Sequence, residues 1–251
     1  MKALRELAAV AWPFAGRLFS FKRERSRRRR STYRFMCWLV RVGTRLLCRM
    51  DLSALSGVGR QGPLILICNH IGSLEVPLLF AHLQPRRMFG LAKVETWDSR
   101  FMGWLFTLWE AIPVRRGEAD LEAMRRCLEV LKAGDILAIA PEGTRSRHGR
   151  LLRGQPGIVT LALRSGAPIQ AIAHWGGEDF GANLKRLKRT DFQVRVGQPF
   201  HLDAGGEKVT GEVRQAMVDE IMCRLAELMP EAYHGEYQEA VKRPAQYIRT
   251  E

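Results

Sequence analysis

The apolar and polar positions of the chain change style part-way along. Near the start, Leu4, Leu7, Ala8, Ala11, Ala15 and Leu18 recur at helical spacing, widened by Trp12, Phe14 and Phe19, with Pro13 placed to kink or interrupt the helix. A second periodic stretch runs from Tyr33 to Met50. At about 100° per residue it gathers Arg34, Arg41, Arg45 and Arg49 in one sector, opposite Phe35, Met36, Leu39, Val42, Leu46 and Met50. From Gly57 onward, short apolar runs alternate with helical patterns. Strands are expected over 64–68, 87–93, 112–115, 136–140, 168–173 and 192–196, and helices over 73–83, 99–109, 120–132, 158–164 and 208–228. Such alternation predicts an α/β fold: a single domain over residues 57–251 with a largely parallel sheet flanked by helices, preceded by an N-terminal basic amphipathic helical segment over residues 1–56.

Composition adds little to this until charge is divided along the chain. The 251 residues are 46% hydrophobic, and no uncharged run approaches the roughly 18 apolar residues of a spanning helix. Five cysteines, odd in number and without a Cys-x-x-Cys pair, indicate neither a disulfide framework nor a zinc site. Residues 1–50 carry 14 Lys and Arg against 2 acids, whereas residues 51–251 carry 26 against 24, so nearly all of the +14 net charge lies in the first fifth. A polybasic run flanked by amphipathic helices with Trp and Phe suits an anionic membrane surface, where each cation contributes about 1 kcal/mol. Two other readings stand beside it: helices packed on the core with their arginines in water, and a nucleic-acid arm. Aromatic residues interleave poorly with the Arg run, so no nucleic acid is expected as a partner.

In α/β sheets chemistry sits in the loops beyond the carboxyl ends of strands. After the first strand comes Asn69-His70-Ile71-Gly72-Ser73-Leu74-Glu75. Residues five apart on a continuous helix are rotated by about 140°, so His70 and Glu75 meet only if His70 lies in the turn and Glu75 in the first helical turns. A carboxylate on one imidazole nitrogen fixes the tautomer and raises the basicity of the other, as a general base on a hydroxyl requires. No Gly-x-Ser-x-Gly nucleophile accompanies it, which favours direct transfer over a covalent intermediate. Beyond the fourth strand, Pro141-Glu142-Gly143-Thr144-Arg145-Ser146-Arg147 combines a permissive glycine, two hydroxyls and a forked cation that matches phosphate. Ile112-Pro113-Val114-Arg115-Arg116-Gly117 puts further arginines beyond a strand. Together the loops point to a phosphate-bearing substrate with a reacting hydroxyl.

These residues resemble the motifs of the glycerophospholipid O-acyltransferases typified by 1-acylglycerol-3-phosphate acyltransferase. Asn69-His70 with Glu75 is similar to the family's Asn-His-x-x-x-x-Asp, and Glu142 to Ser146 reproduces Glu-Gly-Thr-Arg-Ser intact. Ala111 to Arg115 resembles the motif that ends in a phosphate-binding Arg, Lys93 matches the Lys beyond the second strand, and Ala167-Pro168-Ile169 resembles a fourth, apolar motif. The likeness covers roughly residues 57–175. It departs at Glu75, where Asp is commoner, at Ala111, where Gly is usual, and at Gln170-Ala171, where a second Pro often stands. The resemblance implies His70 as base oriented by Glu75. It further implies Lys93, Arg115 and Arg145 on the acceptor phosphate, and Glu142, Gly143 and Thr144 forming the loop. It implies transfer of a fatty acyl group from acyl-CoA or acyl-carrier protein to a lysophospholipid hydroxyl, most simply 1-acylglycerol-3-phosphate, by a peripheral, monotopic enzyme on the cytoplasmic face of a membrane. No metal or prosthetic group is expected. A lipid-binding or scaffold protein of the same fold without turnover is the alternative.

Overall fold

The computed structural model describes residues 27–72, 74–146 and 148–250. The expected first helix, the arginine run up to residue 26, Ser73 and Arg147 lie outside the described residues. Helix α1 (Arg27–Leu47) leads into a two-residue strand, β1 (Cys48–Arg49). Then follow β2 (Leu64–Cys68), α2 (Glu75–His82), β3 (Met88–Lys93), α3 (Arg100–Leu108), β4 (Ile112–Val114), α4 (Leu121–Lys132), β5 (Ile136–Ile139), α5 (Gly157–Ser165) and β6 (Ile169–Trp175). The chain closes with α6 (Phe180–Lys185), β7 (Thr190–Asp191), β8 (Gln193–Val196), β9 (Phe200–Leu202), α7 (Gly211–Ala226) and β10 (Ile248–Thr250).

Strands β2 to β6 are parallel and lie in the order β6-β2-β5-β3-β4; β8 and β9 pair antiparallel with β6, and β10 with β9, at the far side. The central strand β2, Leu-Ile-Leu-Ile-Cys, is buried throughout because helices cover both faces of the sheet. Its period of two divides the core. Ile65 and Ile67 join Leu137, Ile158, Val159 and Ile221 under α4, α5 and α7, while Leu64, Leu66 and Cys68 join Leu78, Phe80, Leu108 and Tyr33 under α1, α2 and α3.

Helix boundaries follow local chemistry. Ser99, Asp120 and Thr210 cap α3, α4 and α7 by accepting the amides of Met102, Ala123 and Val213, each such cap contributing about 1 kcal/mol. Residues 99 and 120, expected as the first helical residues, are thus caps. Gly166, at φ 63, ends α5 in the left-handed conformation.

Helix α1 packs on α2 through Tyr33 and Cys37, and it completes α2's unsatisfied carbonyl end. Tyr33 Oη donates to Phe80 O (3.4 Å), and Arg41 donates from Nε and Nη2 to Ala81 O (3.0 and 2.7 Å). Strand β1 then pairs in parallel with β7. Half of the expected apolar stripe, Phe35, Leu39 and Leu46, together with Trp38, remains exposed on the outer side of α1, while Met36 and Met50 turn toward the core. No helix among the described residues is long and apolar enough to cross a membrane.

Candidate active site

The turn after β2 is locked before it reaches His70. Beyond the Cys68–Ile172 pair, β2 and β6 stop bonding through their backbones, and the Asn69 amide takes over: Nδ2 donates to His174 O (2.8 Å) and Oδ1 accepts the His174 amide (3.0 Å). The His174 ring, stacked on Phe192, meets Asn69 O through Nε2 at 2.7 Å. All of this is buried, so each bond is held without competition from water.

His70 follows on this fixed base. Its Nδ1 lies 2.5 Å from Glu75 Oε1, with Glu75 buried at the first turn of α2 where the helix dipole favours an anion. Burial alone would raise the Glu75 carboxyl, but the His70 hydrogen bond, the charges of His174 and His70, and its own amide bring it below the usual carboxylate value. An ionised Glu75 keeps the proton on Nδ1 and leaves the Nε2 lone pair facing outward. The pairing across five residues is the one expected, with His70 in the turn and Glu75 on the helix.

The loop after β5 closes over the same histidine. Gly143, at φ 69, turns the chain so that Glu142 points inward, where Oε1 accepts the His70 amide and Oε2 the Leu152 amide, both at 2.9 Å. The Ser146 amide donates to His70 O (2.8 Å), so both backbone groups of His70 are held by this loop. Burial pushes the Glu142 carboxyl up to about 7, against the pull of the two amides, and the nearby Glu75 charge adds to the rise. Arg145 Nε donates to His70 Nε2 at 3.3 Å, so an exposed cation sits beside the basic nitrogen.

Arg115 stands exposed just past β4, its amide bonded to Asp120 Oδ2 (3.0 Å). With Glu142, Gly143 and Thr144 it lines a cavity of about 600 Å³ whose walls also include Leu91, Met124, Ile158 and Leu161. Lys93 ends β3 at the same sheet edge, opposite Val114 in register. The structure therefore joins His70, Glu75, Glu142 and Arg145 by hydrogen bonds, gathers Arg115, Glu142, Gly143 and Thr144 around one cavity, and keeps Lys93 at their edge. Among the described residues no three His, Cys, Asp or Glu side chains converge as a metal site. Sequence reasoning missed His174. Its only signal was a polar residue closing an apolar strand.

The family described as Acyltransferase matches residues 49–175, just over half of the chain. The chain belongs to that family, and it is an O-acyltransferase. The matched span runs from β1 to the end of β6 and so contains every residue of the hydrogen-bonded site. The 1-acyl-sn-glycerol-3-phosphate acyltransferase of Pseudomonas aeruginosa is 27% identical over 210 residues, covering 81% of this chain and 79% of that protein. The lyso-ornithine lipid O-acyltransferase of the same organism is 30% identical over 167 residues, covering 61% and 62%. The crystal structure of the 1-acyl-sn-glycerophosphate (LPA) acyltransferase PlsC from Thermotoga maritima shares the fold, with a TM-score of 0.56 at 18% identity over 79% of this chain and 80% of that one.

Proposed function

We propose that this acyltransferase moves a fatty acyl group from an acyl thioester, acyl-CoA or acyl-carrier protein, to the free hydroxyl of a lysophospholipid, 1-acylglycerol-3-phosphate giving phosphatidic acid. The observation that carries the reading is the His70–Glu75 pair with Nε2 directed outward beside Arg145. In this mechanism Nε2 takes the acceptor's hydroxyl proton as its oxygen attacks the thioester carbonyl. The imidazolium, balanced by Glu75, then returns that proton to the departing thiolate. The balance needs no metal and no prosthetic group. Arg145, Arg115 and Lys93 supply cations at the sheet edge for the acceptor phosphate, Arg with a fork that fits it. The cavity beside Glu142 and Thr144 offers an apolar lining to an acyl chain.

The enzyme works, on this reading, as a peripheral monotopic protein on the cytoplasmic face of an anionic membrane, where acceptor and product both reside. The outer face of α1 supports it: Phe35 and Trp38 stack at 5.8 Å in the open, Leu39 and Leu46 continue the stripe, and the helix carries arginines and no acid. The deciding experiment is mass spectrometry of the lipids formed from a panel of lyso-acceptors, lysophosphatidic acid and lyso-ornithine lipid among them, each with acyl-CoA and with acyl-carrier protein. Phosphatidic acid formed fastest from lysophosphatidic acid supports the reading. Absence of acyl transfer to every acceptor would overturn it in favour of a binding protein.

A further inference from the structure

Past the matched span, the chain leaves α6 through a turn that is ordinarily built on glycine. The Leu187 amide bonds to Leu184 O (3.1 Å) and the Lys188 amide reaches back to Asn183 O (2.9 Å), the six-residue bond of a Schellman ending. Leu187 occupies its left-handed position, at φ 54, where a side chain costs about 1 kcal/mol or more that glycine avoids. The fold returns nothing for that strain, because the Leu187 side chain is 94% exposed. Lys185, Arg186, Lys188 and Arg189 surround it, all exposed, and Leu184 is exposed one turn behind.

The turn is nonetheless firmly placed. Asn183 Nδ2 donates to Thr190 Oγ1 (3.2 Å), Arg189 Nη2 donates to the carbonyls of Arg45 (2.9 Å) and Cys48, and β7 pairs with β1 immediately afterward. These bonds join the turn to the end of α1, where Arg45, Leu46, Leu47 and Arg49 are exposed as well. Two adjoining surfaces thus repeat one chemistry, an apolar tip between cations. That is the composition suited to an apolar layer under an anionic one.

We propose that residues 184–189 form a membrane-insertion finger: Leu187 enters the acyl-chain boundary of an anionic phospholipid leaflet while Lys185, Arg186, Lys188 and Arg189 lie among its headgroups. The proposal rests on the peripheral attachment read above and gives it a second contact, separate from the outer stripe of α1. Four cations would also suit an acidic protein. A strained, fully exposed leucine continuous with the apolar end of α1 favours the bilayer.

The test uses the full chain with phosphatidylcholine vesicles, with and without phosphatidylglycerol. Leu187→Gly removes the side chain and relieves the backbone, so its melting temperature should equal or exceed that of the wild type while partitioning onto phosphatidylglycerol vesicles falls about tenfold, the effect of one leucine leaving an apolar phase. Leu187→Trp should keep binding and gain tryptophan quenching by brominated lipid beyond that of the wild type. If the wild type binds but Leu187→Gly binds within twofold of it and the added tryptophan is not quenched, the finger is refuted and peripheral attachment stands. A wild type that ignores anionic vesicles overturns both. Unchanged vesicle binding with a raised KM for acyl-carrier protein overturns the finger by giving its cations to the donor protein.

Discussion

His70 has Nδ1 at 2.5 Å from Glu75 and Nε2 at 3.3 Å from Arg145, so the two ring nitrogens are committed to opposite tasks. His70→Ala should lower turnover by roughly a hundredfold to ten-thousandfold, the range of a general base, with an unchanged circular dichroism spectrum. An unchanged acylation rate in the folded variant would exclude the mechanism. Glu75→Gln keeps the shape but loses the charge that balances the imidazolium, and should fall further than Glu75→Asp, whose carboxylate is shorter by one methylene. The arginines separate by place. Arg115 is remote from the imidazole, and Arg115→Ala should raise the acceptor KM with turnover nearly kept, while Arg145→Ala, which also removes the partner of Nε2, should change both. Initial-rate kinetics over a range of lysophosphatidic acid concentrations distinguish them; identical KM-to-turnover patterns for the two variants would show that the Nε2 contact has no part in turnover.

The elements that carry these residues were legible wherever the signal was local. Strands β2 and β5 stand out as unbroken apolar runs because helices bury both their faces, and α3 and α4 stand out by their apolar faces, with Ser99 and Asp120, read as their first residues, serving as caps. The His70 and Glu142 loops were found by the rule that strand ends carry chemistry and by the family resemblance. Their clasp was not legible, since Glu142 meets the His70 amide across 72 residues and Asn69 meets His174 across 105. Short pieces such as α6, β9 and β10 carry too few residues for any periodicity, and they exist through tertiary pairing. The clasp has a pH signature. The Glu142 carboxyl rises from 4.5 to about 7 on folding, so the folded state keeps a proton that the unfolded chain has lost. That contribution is complete below about 4.5 and disappears as pH rises through about 7. The melting-temperature advantage of wild type over Glu142→Gln should shrink across that window; a constant difference would show that Glu142 titrates normally. The far end of the same loop is set by Gly154, whose amide donates to Tyr237 Oη (2.8 Å) and whose missing side chain makes room for Val218 and Met222 of α7. Gly154→Ala would put Cβ 2.8 Å from Met222 Cγ and should cost about 1–3 kcal/mol by overpacking, a melting-temperature drop on the order of 5 °C. A variant that melts with the wild type would show that α7 yields at no cost.

At the scale of the whole molecule, the charge asymmetry and the fold meet in α1. Its inner side is part of the core: Tyr33 and Cys37 are buried against α2, Arg41 holds the Ala81 carbonyl, and β1 ties the helix end to β7. Its outer side carries the aromatic stripe, with Arg34 and Arg45 exposed as well. A protein beginning at Asp51 should therefore do more than detach from lipid, because it uncovers Leu78, Phe80 and Phe192 and strips the last carbonyls of α2 of their donors. Aggregation or a sharply lowered melting temperature is expected of it. A protein beginning at Arg27 keeps all of those contacts while losing Lys2, Arg5, Arg17, Lys22, Arg23 and Arg25. It should melt close to the full chain, turn over water-soluble short-chain acceptors at the full rate, and sediment less with anionic vesicles at low salt, with the difference narrowing as salt rises because screening acts over about 8 Å at physiological ionic strength. The two truncations divide the roles of the N-terminal fifth. Should the Arg27 protein sediment like the full chain at every salt concentration, the cations before it take no part in attachment, and whatever lipid binding exists belongs to the outer stripe of α1 and the surface beside it.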